Sequence, residues 1–145
     1  MTHRTALCFL AVTCLGLFLA TTALPQEETE VSGTAIPERL TLARAAMCEQ
    51  IQAYAPYNEA IAFPVTIGRV SCFTFFDPVP EKTVVYHNWF KRDRLSTKKK
   101  LTLQPPQWSS FSTIQLREAD KGPWRVEITD EEGNIFSTLR FSITD

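Results

Sequence analysis

The residues with the most chemical reach form three groups: one histidine, one pair of cysteines and one run of cations. His87 lies in the stretch Tyr86-His87-Asn88-Trp89-Phe90-Lys91-Arg92-Asp93. A histidine can serve as the base for a hydrolytic serine when a nucleophile and an orienting acid are at hand. No serine here sits in a Gly-x-Ser-x-Gly turn, and no two carboxylates stand out as an acid/base pair across a cleft. His87 shares a strand phase with Val85 and Trp89, the setting of a hydrogen-bonded structural histidine. His3 lies in the leading segment, so one histidine and two cysteines remain, too few ligands of the right type for a zinc or iron site. No catalytic residue, metal or cofactor is assigned, and a hydrolase using His87 stands only as a second alternative.

The cations Lys91, Arg92, Arg94, Lys98, Lys99 and Lys100 fall within ten residues, with Asp93 the one acid among them. They span the turn between two expected strands. Lysines there can simply keep an edge strand from pairing. They can also meet an anionic lipid surface or an acidic glycan, at about 1 kcal/mol per cation near such a surface. Trp108, Trp124, Tyr86 and Phe111 could form a sugar-stacking platform. Trp108 follows Pro105-Pro106 and is the aromatic expected to be exposed, whereas Trp124 alternates with Val126 and Ile128 and reads as core. Trp108 and the six cations are therefore the candidate ligand contacts. Trp89, His87 and Trp124 are expected to be structural.

The elements that must hold these residues follow a leader. Thr2-His3-Arg4 is a short basic lead, 6–23 carry no charge, and Thr21 and Ala23 supply small residues before a polar stretch. This is the pattern of a secretory signal peptide, cut after Ala23. The run is at the short limit for a membrane span, so the alternative is an uncut anchor of residues 6–23 in the inner membrane. Cys14 is followed by more apolar chain, which argues against a lipidation site. Residues 24–39 carry Glu27, Glu28 and Glu30 and read as a disordered acidic linker, leaving 40–145 as a single domain. Of the 145 residues, 15 are Lys or Arg and 16 Asp or Glu; losing the leader removes Arg4 alone and leaves 14 against 16. Such a balance gives no field to recruit nucleic acid. Export leaves Cys48 and Cys72 as an even pair in an oxidising compartment, and a bridge closing a loop of about 25 residues would add roughly 3–4 kcal/mol.

The body reads as strands. Phe63, Val65 and Ile67 alternate with polar or small residues, and beyond Gly68 the apolar phase shifts to Val70 and Cys72, as at a bulge or bend. Further runs cover 83–90, 101–103 and 110–116. Trp124, Val126 and Ile128 alternate with Arg125, Glu127 and Thr129. After the turn Asp130–Asn134, Ile135, Leu139, Phe141 and Ile143 share one face, so the last two runs form a hairpin. Residues 40–52 fit a short helix by their alanines or a strand by the phase of Leu40 and Leu42; the strand is preferred. About seven short strands imply an all-β, immunoglobulin-like antiparallel β-sandwich with Trp89 on a central strand. The usual inter-sheet disulfide is not matched, because both cysteines precede the tryptophan strand.

Cys48-x-x-Ile51 with Pro56, Gly68-Arg69-Val70-Ser71-Cys72-Phe73-Thr74, His87-Asn88-Trp89-Phe90, Gly122-Pro123-Trp124-Arg125-Val126-Glu127, Gly133 and Phe141-Ser142-Ile143 together resemble the bacterial domain of unknown function 2914 family, over roughly Leu42 to Asp145. The resemblance implies a small all-β domain of exported or membrane-tethered proteins and no assigned activity. The family tends to carry an Arg-Trp-Arg-like piece where this chain has Gln107-Trp108-Ser109, so a role resting on those arginines does not transfer. The expected function is a non-enzymatic binding module of the cell envelope, periplasmic or extracellular, meeting a glycan, an anionic lipid surface or a protein partner. The alternative is a structural or assembly accessory of a membrane-associated complex.

Overall fold

The computed structural model describes residues 38–145. The expected leader over 1–23 and nearly all of the expected linker over 24–39 lie outside the described residues. The described residues form nine strands: β1 (Leu42–Gln52), β2 (Ala55–Glu59), β3 (Ala62–Pro64), β4 (Arg69–Phe76), β5 (Thr83–Lys91), β6 (Arg94–Leu103), β7 (Trp108–Gln115), β8 (Gly122–Thr129) and β9 (Ile135–Thr144). Two 3₁₀ turns, Val65–Ile67 and Glu118–Asp120, complete the order. One sheet runs β2-β1-β4-β7 and the other β3-β9-β8-β5-β6. Neighbours are antiparallel except for the short parallel pair of β3 and β9.

Without β2 and β3, the order is β1-β4-β7 facing β9-β8-β5-β6. This is the A-B-E and G-F-C-C′ arrangement of an immunoglobulin-like sandwich, with no strand among the described residues in the D position beside β7. The count is nine rather than seven because β2 carries no alternating apolar face and because the single run expected from Phe63 onward is two strands, β3 and β4, with Val65–Ile67 a 3₁₀ turn between them rather than strand. Leu42–Gln52 is strand, as preferred for residues 40–52. Gly68, at φ +74, ends the first 3₁₀ turn and lets the chain leave β3 in one sheet and enter β4 in the other, which is the physical source of the phase slip.

The inward rows follow the period of two. Val70, Cys72 and Phe76 of β4 meet Val85 and Trp89 of β5, Trp124, Val126 and Ile128 of β8, and Phe141 and Ile143 of β9. Trp89 meets the Phe141 ring edge-on at 6.0 Å, and Trp124 stacks on the same ring at 6.2 Å. Side chains of this kind stabilise by about 1.5–3 kcal/mol each when fully buried. In β9 the expectation for Ile135 is corrected. A register shift beside Thr129 turns Ile135 outward, 57% exposed, and Phe136 takes its inward place against Phe76 at 5.4 Å.

The expected Cys48–Cys72 bridge is also corrected, since both thiols are free and buried. Register explains it: Cys48 stands opposite Ser71, and Cys72 opposite Met47. Directly opposed residues of antiparallel strands share a face, so the two thiols point to opposite faces of one sheet. Burial pushes the Cys48 thiol up to about 11, and Cys72 is raised by burial first and then by the neighbouring thiol. Neither is a ready nucleophile.

Candidate binding surface

His87 lies wholly inside the sandwich. Its Nδ1 is 2.8 Å from Ser112 Oγ and its Nε2 is 3.3 Å from Thr74 Oγ1. Trp89 Nε1 donates to the same Ser112 Oγ at 3.0 Å, and Thr74 Oγ1 donates to the Ser110 carbonyl at 3.3 Å. One proton assignment satisfies all of these contacts. The Ser112 hydroxyl donates to Nδ1, the Nε2–H donates to Thr74, and Thr74 donates onward. That chain needs a neutral imidazole, and burial holds the His87 pKa down at about 4. The network ties β5 of one sheet to β4 and β7 of the other. It offers a hydrolytic base no route to solvent, and the alternative built on His87 gains nothing from it.

The six cations do not share a surface. Lys91 is half-buried, bonded to the Ala119 carbonyl, 3.4 Å from Asp120 and over the Trp124 ring. Arg92 sits in the two-residue turn at φ 44 with its guanidinium against Gly122. Arg94 opens β6. Lys98 and Lys100 stand opposite Asn88 and Tyr86 on the outer face, and Lys98 lies 3.9 Å over the Tyr86 ring. Lys99 stands opposite His87, in the inward phase, at the edge. β6 is the outermost strand of its sheet.

Trp108 is far from all but the end of this run. It pairs with Phe76, in the end of the sandwich where Thr83 meets Leu103. Eight residue steps along β5 separate that end from the Lys91–Arg94 end, about 26 Å at strand rise. The four aromatics are scattered too. Trp124 is buried, Tyr86 lies on the outer face of the five-stranded sheet, and Trp108 and Phe111 fall on opposite faces of β7. No single platform is formed from them.

The outer face of the four-stranded sheet carries a different constellation. A groove of about 370 Å³ runs between the β1–β2 turn and β7, lined by Gln50, Tyr54, Arg69, Ser71, Phe111 and Thr113 among others. Tyr54 is 82% exposed and Phe111 47%. Ser71 Oγ and Thr113 Oγ1 are bonded at 2.8 Å on its floor. Arg69 is exposed and has no carboxylate partner among the described residues. Ala53 and Tyr54 form the two-residue turn, with φ of 48° and 60°. Such a turn prefers Asn-Gly, because a side chain in the left-handed region costs roughly 1–2 kcal/mol. Sequence reasoning missed this site because β2 was not recognised, so no turn was placed at 53–54; Phe111 alone was noted. Among the described residues no three His, Cys, Asp or Glu side chains gather as a metal site.

The fold and the groove stand beside one family match. Residues 82–143 match the model of a protein family of unknown function, DUF2914. The matched stretch is 62 of the chain's 145 residues, less than half of it. It begins at the threshold of β5 and ends within β9, so it contains the His87–Phe90 and Trp124–Glu127 pieces. The Cys48 and Gly68–Thr74 pieces lie outside it, and the match is narrower than the resemblance over Leu42–Asp145 implied. The buried His87 and Trp89 lie within the matched residues, whereas Tyr54, Arg69 and Ser71 of the groove do not. No curated protein matches the chain.

Proposed function

We propose that the chain is a non-enzymatic, exported binding module of the bacterial cell envelope that holds a glycan in the groove of its four-stranded sheet. The observation that carries this reading is Tyr54. Its backbone sits where glycine or asparagine would be easier, and its ring packs on almost nothing. Strain kept without a packing return points to use. Around it the chemistry suits a sugar: Tyr54 and Phe111 present ring faces to apolar C–H surfaces, while Gln50, Ser71, Thr113 and Arg69 offer donors and acceptors to hydroxyls. An anionic lipid surface is less well served, because the six cations are divided between two faces and a turn. Retention on purified peptidoglycan and on envelope polysaccharide at low salt tests the reading. Tyr54→Ala should weaken retention about tenfold, the equivalent of about 1.5 kcal/mol for a stacked ring, and Trp108→Ala should not. Equal retention of the Tyr54 variant would remove the groove from the account.

A further inference from the structure

We infer that the free edge of β7 pairs with β7 of a second copy of this chain, in antiparallel register about a twofold axis through Phe111. Among the described residues nothing pairs with the outer side of β7, which occupies the place beside the missing D strand. An edge of this kind is a template for another strand unless it is blocked. β7 reads Trp108-Ser109-Ser110-Phe111-Ser112-Thr113-Ile114-Gln115 and carries no proline, no glycine and no ionisable group. Over 108–114 it is also a palindrome of residue classes about Phe111: large apolar, hydroxyl, hydroxyl, aromatic, hydroxyl, hydroxyl, large apolar.

Antiparallel pairing of identical strands is isologous, each residue meeting its mirror position. With the axis at Phe111, Phe111 meets its own copy, Ser109 meets Thr113, Ser110 meets Ser112, and Trp108 meets Ile114. Each is a favourable cross-strand class, aromatic on aromatic, hydroxyl on hydroxyl and apolar on apolar. A shift by two residues in either direction would set Phe111 against a hydroxyl, Ser109 or Thr113. The part-exposed Trp108, unexplained by the groove, gains a neighbour.

β7 itself brings no charge to the seam, and Lys99, which lines the cleft of about 390 Å³ together with Thr113 and Ile114, belongs to β6 of the other sheet. On the outer face the two grooves become continuous across the paired Phe111 rings, which rests on the groove reading; the pairing itself does not.

An eight-residue seam belongs with small, transient interfaces, below about 1,200 Å² in total, so association is read at high concentration. Sedimentation of the chain, as processed by an exporting host, should show its mass rising from one chain toward two as it passes from about 10 µM to about 1 mM. Phe111→Lys and Phe111→Glu should each stay single, and their equimolar mixture should again rise to two chains. As a second check, Phe111→Cys should crosslink to itself with oxidised glutathione, while Ser109→Cys, which faces Thr113 of the copy, should not. A single-chain mass for the unaltered protein at 1 mM overturns the inference. So does undiminished association of either charged variant, failure of their mixture, or preferential crosslinking through Ser109→Cys. No saccharide enters these measurements, so their failure leaves the groove reading intact, and loss of the groove reading leaves the twofold seam intact.

Discussion

The two strands that close the open side of the sandwich, β6 and β7, are built on opposite rules. β6 carries Arg94, Lys98, Lys99 and Lys100, is mostly exposed, and contributes only Leu103 and the half-buried Leu101 to the interior. β7 carries no charge and is held from within, through Ser112 to His87 and Trp89. One edge repels further strands by charge and needs little anchoring. The other is attractive to a strand and is fixed by a polar tie across the core. Among the described residues the immunoglobulin-like order leaves both edges open, and charge guards only one of them.

The largest effect should come from cutting that tie. Ser112→Val leaves Trp89 Nε1–H and His87 Nδ1 without partners, at about 1–3 kcal/mol for each buried orphan. Chemical denaturation should show a loss of about 3 kcal/mol; an unchanged midpoint would mean that β7 is held by its ladder with β4 alone. Acid should act on the same tie to a similar extent. With the folded pKa of His87 near 4 against an ordinary 6.5, the unfolded chain takes up a proton first as pH falls. The contribution from neutral His87 is complete above pH 6.5, declines between 6.5 and 4, and is gone below. The total is about 3 kcal/mol. Thermal melts across that window should flatten in His87→Gln if the slope belongs to this residue.

A smaller change of opposite sign is expected at the groove. Tyr54→Gly relieves the left-handed strain and should raise stability by about 1 kcal/mol, while glycan retention falls. Stabilisation without loss of retention would detach the strain from binding. Smallest in stability, and most direct for the two edges, is replacement of Lys98, Lys99 and Lys100 together by threonine. Stability should change by no more than about 0.5 kcal/mol. Association should nonetheless extend beyond two chains in sedimentation, because the second edge is then unguarded. If the triple variant behaves as the unaltered chain does, lysine is not what blocks β6.

Strands were legible where one face is core and the other solvent, as in Trp124-Arg125-Val126-Glu127-Ile128. They were not where that contrast is missing. The Lys98–Lys100 half of β6 read as a turn, because an edge strand held by its neighbour needs no apolar row of its own. β2 was silent for the same reason, whereas Phe63 of β3 was legible but read as one strand with β4, because the 3₁₀ turn Val65–Ile67 continues the apolar spacing. The groove was hidden behind this gap: a Tyr at positive φ is not a turn signal, since composition points to glycine and asparagine there. Cys48 and Cys72 lie in neighbouring strands, as preferred for residues 40–52, but spacing does not reveal face parity. Their orientation is decided by which residue of β4 stands opposite which of β1.

That parity gives the molecule two internal clocks. Cys48 is covered on the side of the sheet that the β1–β2 hairpin and the groove occupy, and Cys72 on the side of the sandwich interior. A thiol reagent reaches each only when its own side opens, so labelling rates at the two positions time two different motions in one native chain. Slow reaction at both sites with a common rate would describe a sheet that opens only by global unfolding. Faster reaction at Cys48 would describe an outer layer that breathes over an intact interior.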